Sequence, residues 1–81
     1  MNRLLEMEIF VTVADAGSIS GAAERLNMAK SAVSKRLSDL EVRLGVSLMT
    51  RSTRRLSLTH EGVEFYERCI SIFSAVNDAE E

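Results

Sequence analysis

Residues 22–35 read Ala22-Ala23-Glu24-Arg25-Leu26-Asn27-Met28-Ala29-Lys30-Ser31-Ala32-Val33-Ser34-Lys35, and the architecture turns on how these positions fold. Ala23 is a small residue at the middle of a short helical stretch. Asn27, four residues later, tolerates the left-handed backbone that ends a helix. Val33, six residues further on, is a β-branched core residue. Two helices that cross steeply need alanine where they meet, and the second must leave its N-terminal half exposed. That is the pattern of a helix-turn-helix. The second helix is expected over residues 30–44, with Val33, Leu37, Leu40 and Leu44 as its buried stripe and Gly45 as its stop. Its other face carries Lys30, Ser31, Ser34, Lys35 and Ser38, a small, polar and basic surface.

Upstream, Leu4, Met7, Val11 and Ala14 recur at helical spacing, with Phe10 and Val13 widening the face, which predicts a helix over residues 3–16 closed by Gly17. Ser18 or Ser20 opens the short helix that follows, with Ser20 the favoured cap for residues 21–26. Ala22, Ala23 and Leu26 supply its inner face. Downstream, Val46, Leu48, Leu56 and Leu58 alternate with period two, which predicts a small β-hairpin whose tip, residues 50–55, is Thr50-Arg51-Ser52-Thr53-Arg54-Arg55. Thr59 then caps a helix over residues 60–79. Its apolar residues fall in two adjoining sets, Val63, Tyr66, Ile70, Phe73 and Phe65, Cys69, Ile72, Val76. Together they cover about half of the cylinder. One set can seat on the chain's own core and the other is free for a partner. The expected fold is therefore mainly α: a winged helix-turn-helix of three helices plus a β-hairpin wing over residues 1–58, followed by a long linker and dimerisation helix over residues 59–81.

The net charge of −2 is segregated. Residues 1–29 carry −2 and residues 60–81 carry −5, whereas residues 30–55 carry seven bases against two acids, a net of +5. A local positive block on the second helix and hairpin attracts phosphate more than the total charge suggests. The 81 residues allow one small domain, which often leans on a partner subunit. Cys69 is the single cysteine and His60 the single histidine. Neither a disulfide, a multi-cysteine zinc site nor a nucleophile–base pair can be assembled from them, so no metal, no cofactor and no catalytic residue is expected, and the chain is not read as an enzyme. Glu61, Glu64 and Glu67 read as a solvated helix face, and Met7, Met28 and Met49 as packing residues. With neither a membrane span nor a signal-peptide core in view, a cytoplasmic location is expected and no membrane partner.

Taken together, several runs resemble one family. They are Phe10-Val11-x-Val13-Ala14-x-x-Gly17-Ser18, Ala22-Ala23-Glu24-Arg25-Leu26, Ser31-Ala32-Val33-Ser34-Lys35, Leu40-Glu41-x-x-Leu44-Gly45-Val46-x-Leu48, and Arg51-Ser52-Thr53-Arg54-Arg55-Leu56-Ser57-Leu58-Thr59-x-x-Gly62. The chain is similar over nearly its whole length to the N-terminal DNA-binding domain of LysR-type transcriptional regulators. The resemblance implies a bacterial transcription factor that dimerises through its last helix and forms tetramers when intact. It also implies a C-terminal effector-binding domain of periplasmic-binding-protein type. That domain is absent from this chain, so any small-molecule effector would act only through the missing part. Two positions depart from the family pattern. Ala29 stands where serine or threonine usually caps the recognition helix, a loss of about 0.5–2 kcal/mol. Lys30 and Lys35 stand where glutamine and arginine are common, and lysine is a flexible point charge without a planar fork.

The expected function is sequence-specific binding of double-stranded DNA as a homodimer. Lys30, Ser31, Ser34 and Lys35 would face base edges or phosphates in the major groove, and Arg51, Arg54 and Arg55 would hold the wing to backbone and minor groove. Val63, Tyr66, Cys69, Ile70, Phe73 and Val76 would form the dimer seam. Ser18 and Ser20 read as helix caps, with phosphate bonding as their alternative. Arg36 either contacts DNA or pairs with Asp39. A winged helix that kept only dimerisation is the competing reading, and the +5 block with serines on the exposed helix face argues against it.

Overall fold

A computed structural model describes residues 2–51 and 56–81. Its elements run α1 (Arg3–Ala16), α2 (Ile19–Leu26), α3 (Lys30–Leu44), β1 (Met49–Arg51), β2 (Leu56–Leu58) and α4 (His60–Glu80). Residues 52–55, between β1 and β2, lie outside the described residues. Arg54 and Arg55 lie there.

Local chemistry sets most of the boundaries. Asn2 Oδ1 accepts the Leu5 N–H at 3.0 Å and caps α1. Gly17 ends it at φ 75°, a conformation that glycine adopts without strain. Asn27 turns the chain out of α2 at φ 55°, ψ 48°, and Gly45 closes α3 at φ 73°. Thr59 Oγ1 accepts the Gly62 N–H at 2.9 Å at the start of α4. The cap of α2 differs from expectation. Ser18 holds it, accepting the Gly21 N–H at 2.9 Å from an extended backbone, and Ser20 lies inside the helix, exposed. Either serine has the chemistry, but the left-handed Gly17 leaves its neighbour Ser18 extended and aimed at the first free amides.

The core is built on α1, which packs against α2, α3, α4 and β2. Ile9, Phe10 and Val13 are fully buried, against Ala22 and Ala23 of α2 and Val33, Leu37 and Leu40 of α3. The alanines let the two helices of the helix-turn-helix approach closely. On α1 the expected stripe through Leu4 is displaced, since Leu4 is half exposed and Ile9, outside that stripe, is at the centre. One apolar stripe is the signature of a helix with one neighbour, and α1 has four. Leu44 is likewise not the last rung of the buried stripe. It is 37% exposed and lines an open surface groove with Val46, Phe65 and Arg68 instead of entering the core.

The hairpin is a short antiparallel pair with Met49 opposite Leu58 and Arg51 opposite Leu56. Strict alternation fails here. Leu48 and Met49 are adjacent and both buried, whereas Val46 lies outside the strand and is 39% exposed. Leu48 precedes the pairing and points into the helices, so its burial does not follow the strand period. From α4, Cys69 is fully buried and Phe65, Tyr66 and Phe73 pack partly on the core, with the Phe65 ring tilted against Phe10 at 5.4 Å. Tyr66 donates its O–H to Asp15 Oδ1 at 2.6 Å and ties α4 to α1.

One buried charge sits in this core. Glu6 is 4% exposed and accepts from the Arg43 guanidinium at 2.7 Å, joining the first turns of α1 to the end of α3. Desolvation offsets much of such a pair's attraction, so its larger effect is on which packing is allowed: either partner alone would be left uncompensated.

Candidate nucleic-acid interface

The turn at Asn27 aims the start of α3 out of the protein. Backbone N–H groups of Asn27 and Met28 close back on Glu24 and Ala23 carbonyls at 3.2 and 3.0 Å, so α2 is finished before α3 begins. An open groove lined by Ser20, Ala23, Glu24, Asn27, Met28, Ala29 and Lys30 runs between the two helices. With Val33, Leu37 and Leu40 fixed inward, helical geometry turns residues 30, 31, 34, 35 and 38 toward the other side. Lys30, Ser31, Lys35 and Ser38 are exposed and Ser34 is half-buried.

The start of α3 differs from the other three helices. Ala29 has the extended backbone of a cap residue, φ −68°, ψ 145°, but supplies no side-chain acceptor. The helices α1, α2 and α4 each have one, from Asn2, Ser18 and Thr59. Among the described residues the amides that open α3 therefore have no side-chain acceptor from the cap position, beside Lys30, where an anion is favoured.

The charges of the basic block separate into different uses. Lys35 Nζ lies 3.4 Å from Asp39 Oδ2, and both are well exposed. Pairing with Asp39 is one of the two expectations for Arg36; the (i, i+4) step from Lys35 brings the flexible ammonium over that carboxylate instead. An exposed pair of this kind is worth a few tenths of a kcal/mol and yields easily to a phosphate. Arg43 is committed to Glu6 and leaves the block. Arg51 ends β1 with its side chain exposed. Sequence reasoning missed Glu6 and Glu41. Glu6 sits within the apolar set of Ile9, Phe10 and Val13, a visible signal of a carboxylate that needs a buried partner. Glu41 accepts backbone N–H groups of Leu48 at 2.7 Å and Met49 at 3.3 Å, a contact with no local signature.

The proposed seam on α4 is brought together only in part. Val63, Ile70 and Val76 are 46%, 43% and 40% exposed, with Ile72 at 41%. Tyr66 and Phe73 are half-buried against the chain's own core. Cys69 does not belong on that face: it is fully enclosed, because the i+4 step from Phe65 carries it to the side that meets α1. Burial pushes its thiol up to about 11 from 9.0. Among the described residues no group of three His, Cys, Asp or Glu side chains is placed to hold a metal, and no helix is long and apolar enough to cross a membrane.

A three-helix core with alanine at the α2–α3 crossing, a left-handed turn residue and a hairpin after α3 defines a winged helix-turn-helix protein. Residues 4–63 match the profile described as bacterial regulatory helix-turn-helix protein, lysR family. The chain belongs to that family. It is 45% identical over 80 residues to an HTH-type transcriptional repressor of Pseudomonas aeruginosa, covering 99% of this chain and 25% of that protein. It is 48% identical over 75 residues to the HTH-type transcriptional regulator CrgA of Neisseria meningitidis, covering 93% and 25%. The chain thus spans about a quarter of the length of these relatives. Among solved structures it is similar to the BenM DNA-binding domain in complex with catB site 1 DNA, at a TM-score of 0.92 and 33% identity over 98% of this chain and 87% of that one. The CbnR DNA-binding domain in complex with DNA gives 0.92 and 30%, over 98% and 91%.

Proposed function

We propose that the chain binds double-stranded DNA in a sequence-dependent manner as a homodimer, and serves as the DNA-binding part of a longer transcriptional regulator. The N-terminal half of α3 enters the major groove. There Lys30, Ser31, Ser34 and Lys35 meet base edges and flanking phosphates. The hairpin lies along the backbone and minor groove through Arg51, with Arg54 and Arg55 assigned from sequence alone. The observation that carries this reading is the exposed, basic and serine-rich start of α3, presented beyond the Asn27 turn with no side-chain cap of its own. The similarity to two domains solved with DNA supports it.

The exposed Val63 and Ile70 share one face of α4, edged by the half-buried Tyr66 and Phe73, and this face, with the exposed Val76 nearer the end of the helix, is the surface for the second subunit. Residues 1–58 act as the reading head and residues 59–81 as the linker and dimerisation helix, although the inner face of α4 completes the core of the head. A two-fold pair reads two spaced half-sites, which multiplies specificity. Effector response and tetramer formation belong to the longer protein.

Selection of bound duplexes from a random pool, followed by titration across a salt series, tests the proposal. The expected result is an enriched two-fold related motif, with affinity falling as salt rises by about 0.9 log unit per log unit for each phosphate neutralised. Lys35→Ala should weaken binding. No enrichment, together with unchanged affinity and salt slope in Lys35→Ala, would refute it.

A further inference from the structure

The segment that joins α3 to the hairpin is fastened from two sides. Glu41 lies in the last turn of α3, where the negative end of the helix dipole disfavours a carboxylate. It is nevertheless half-buried there, and one oxygen, Oε2, accepts the Leu48 N–H at 2.7 Å and the Met49 N–H at 3.3 Å. Met49 is the first residue of β1 and pairs with Leu58. The carbonyls of the same segment are taken by the start of α4. Thr59 donates its N–H to Leu48 O at 3.0 Å and its Oγ1–H to Ser47 O at 2.6 Å. Gly62 lies so close beneath that a Cβ would stand 2.0 Å from Leu48 O. The two amides entering the wing are therefore held by the recognition helix, and the adjoining carbonyls by α4.

We propose that Glu41 is a positioning residue for duplex binding: its carboxylate sets the pose of the hairpin relative to α3, so that Arg51 and the basic face of α3 engage one duplex together. This rests on the DNA-binding reading above. Donors from Thr59 and Ser47 serve the carbonyls of the segment, but the two N–H groups are held by Glu41 alone among the described residues. A two-stranded hairpin is marginal by itself, so its orientation follows from such fastenings. Charge-assisted bonds to a carboxylate are stronger than neutral ones, which suits a single residue holding two amides.

The test is a double-mutant cycle between Glu41 and Arg51 in this chain, with a random-sequence duplex of about 30 bp as the probe at several salt concentrations. Melting temperature and amide exchange at Leu48 and Met49 are followed in parallel. Glu41→Ala should speed exchange at those amides and weaken duplex binding by about tenfold. It should also flatten the salt slope as much as Arg51→Ala does. In the Glu41→Ala background Arg51→Ala should then add little, because the arginine no longer reaches its phosphate. Glu41→Gln keeps an acceptor of the same length and should fall between; if Glu41→Ala is unfolded, Glu41→Gln carries the cycle. Additive losses, or faster amide exchange with unchanged binding, would overturn the positioning role and leave Glu41 a stabilising contact. If the unaltered chain itself shows no salt-dependent duplex binding, the DNA-binding reading falls first and this inference falls with it.

Discussion

In Gly62→Ala two effects of opposite sign compete at one position. Alanine is the better helix former by about 1 kcal/mol, and Gly62 lies in the first turn of α4, so propensity alone predicts a more stable protein. Packing predicts the reverse. The added Cβ would stand 2.0 Å from the Leu48 carbonyl oxygen and 3.0 Å from its carbon. A carbon normally approaches a carbonyl oxygen to about 3.3 Å, so the gap must open by roughly 1 Å. The obstacle is backbone, and it is pinned: its carbonyl accepts the Thr59 N–H and its N–H is held by Glu41. Overpacking costs about 1–3 kcal/mol, and a clash with fixed backbone belongs at the upper end. After the propensity gain, the net loss is about 2 kcal/mol. For a domain of this size that lowers Tm by roughly 8–16 °C. Thermal unfolding by circular dichroism at one fixed protomer concentration measures it, since association would otherwise move the midpoint. A Tm equal to or above that of the parent would refute the reasoning and show that α4 is not wedged against the segment before the wing.

Three further outcomes follow from individual contacts. Ala29→Ser supplies the missing acceptor on a backbone already extended, so stability should rise by about 0.5–2 kcal/mol in urea unfolding; a decrease would count against the assignment of Ala29 as the cap. Cys69 should resist thiol reagents near neutral pH until the chain is unfolded. Its folded pKa lies above the unfolded one, so its contribution to stability is present below pH 9.0 and is lost as pH rises through about 11; rapid labelling of the native protein would place it at the surface. Tyr66 is the single tyrosine, and its hydrogen bond to Asp15, aided by desolvation and the carboxylate charge, raises its phenol above 10.0. The bond therefore favours folding below that pH and disappears as the phenol ionises; an alkaline absorbance titration should show a lower midpoint in Asp15→Ala, and an unchanged midpoint would dismiss the bond.

The parts of the fold legible in sequence are those fixed by one or two residues acting locally. Gly17, Asn27, Gly45 and Thr59 mark turns and caps because few other residues suit those backbone states, and each stands where it was expected. The polar side of α3 follows from the same periodicity that identifies its buried stripe. What escaped depends on distant neighbours. Leu4 and Leu44 have the right spacing but stay partly exposed, Leu44 at the rim of a groove beside α4, whereas Ile9 gains its burial from α1 having four neighbours. Cys69 fits either side of α4 until α1 is placed. The Glu6–Arg43 pair spans 37 residues of chain, so the sequence shows a carboxylate among apolar residues but not its partner, and Glu41 meets backbone rather than a complementary side chain. The same gap affects the candidate site. Its surface residues are readable, but the carboxylate that orients the hairpin is not.

The most direct measurement is an amide NMR titration of the isotopically labelled chain with a short duplex. The largest salt-sensitive perturbations are expected at Lys30–Ser38 and at Thr50 and Arg51, with the outer face of α4 unaffected. Perturbations confined to α4, or none at low salt, would contradict the DNA-binding reading.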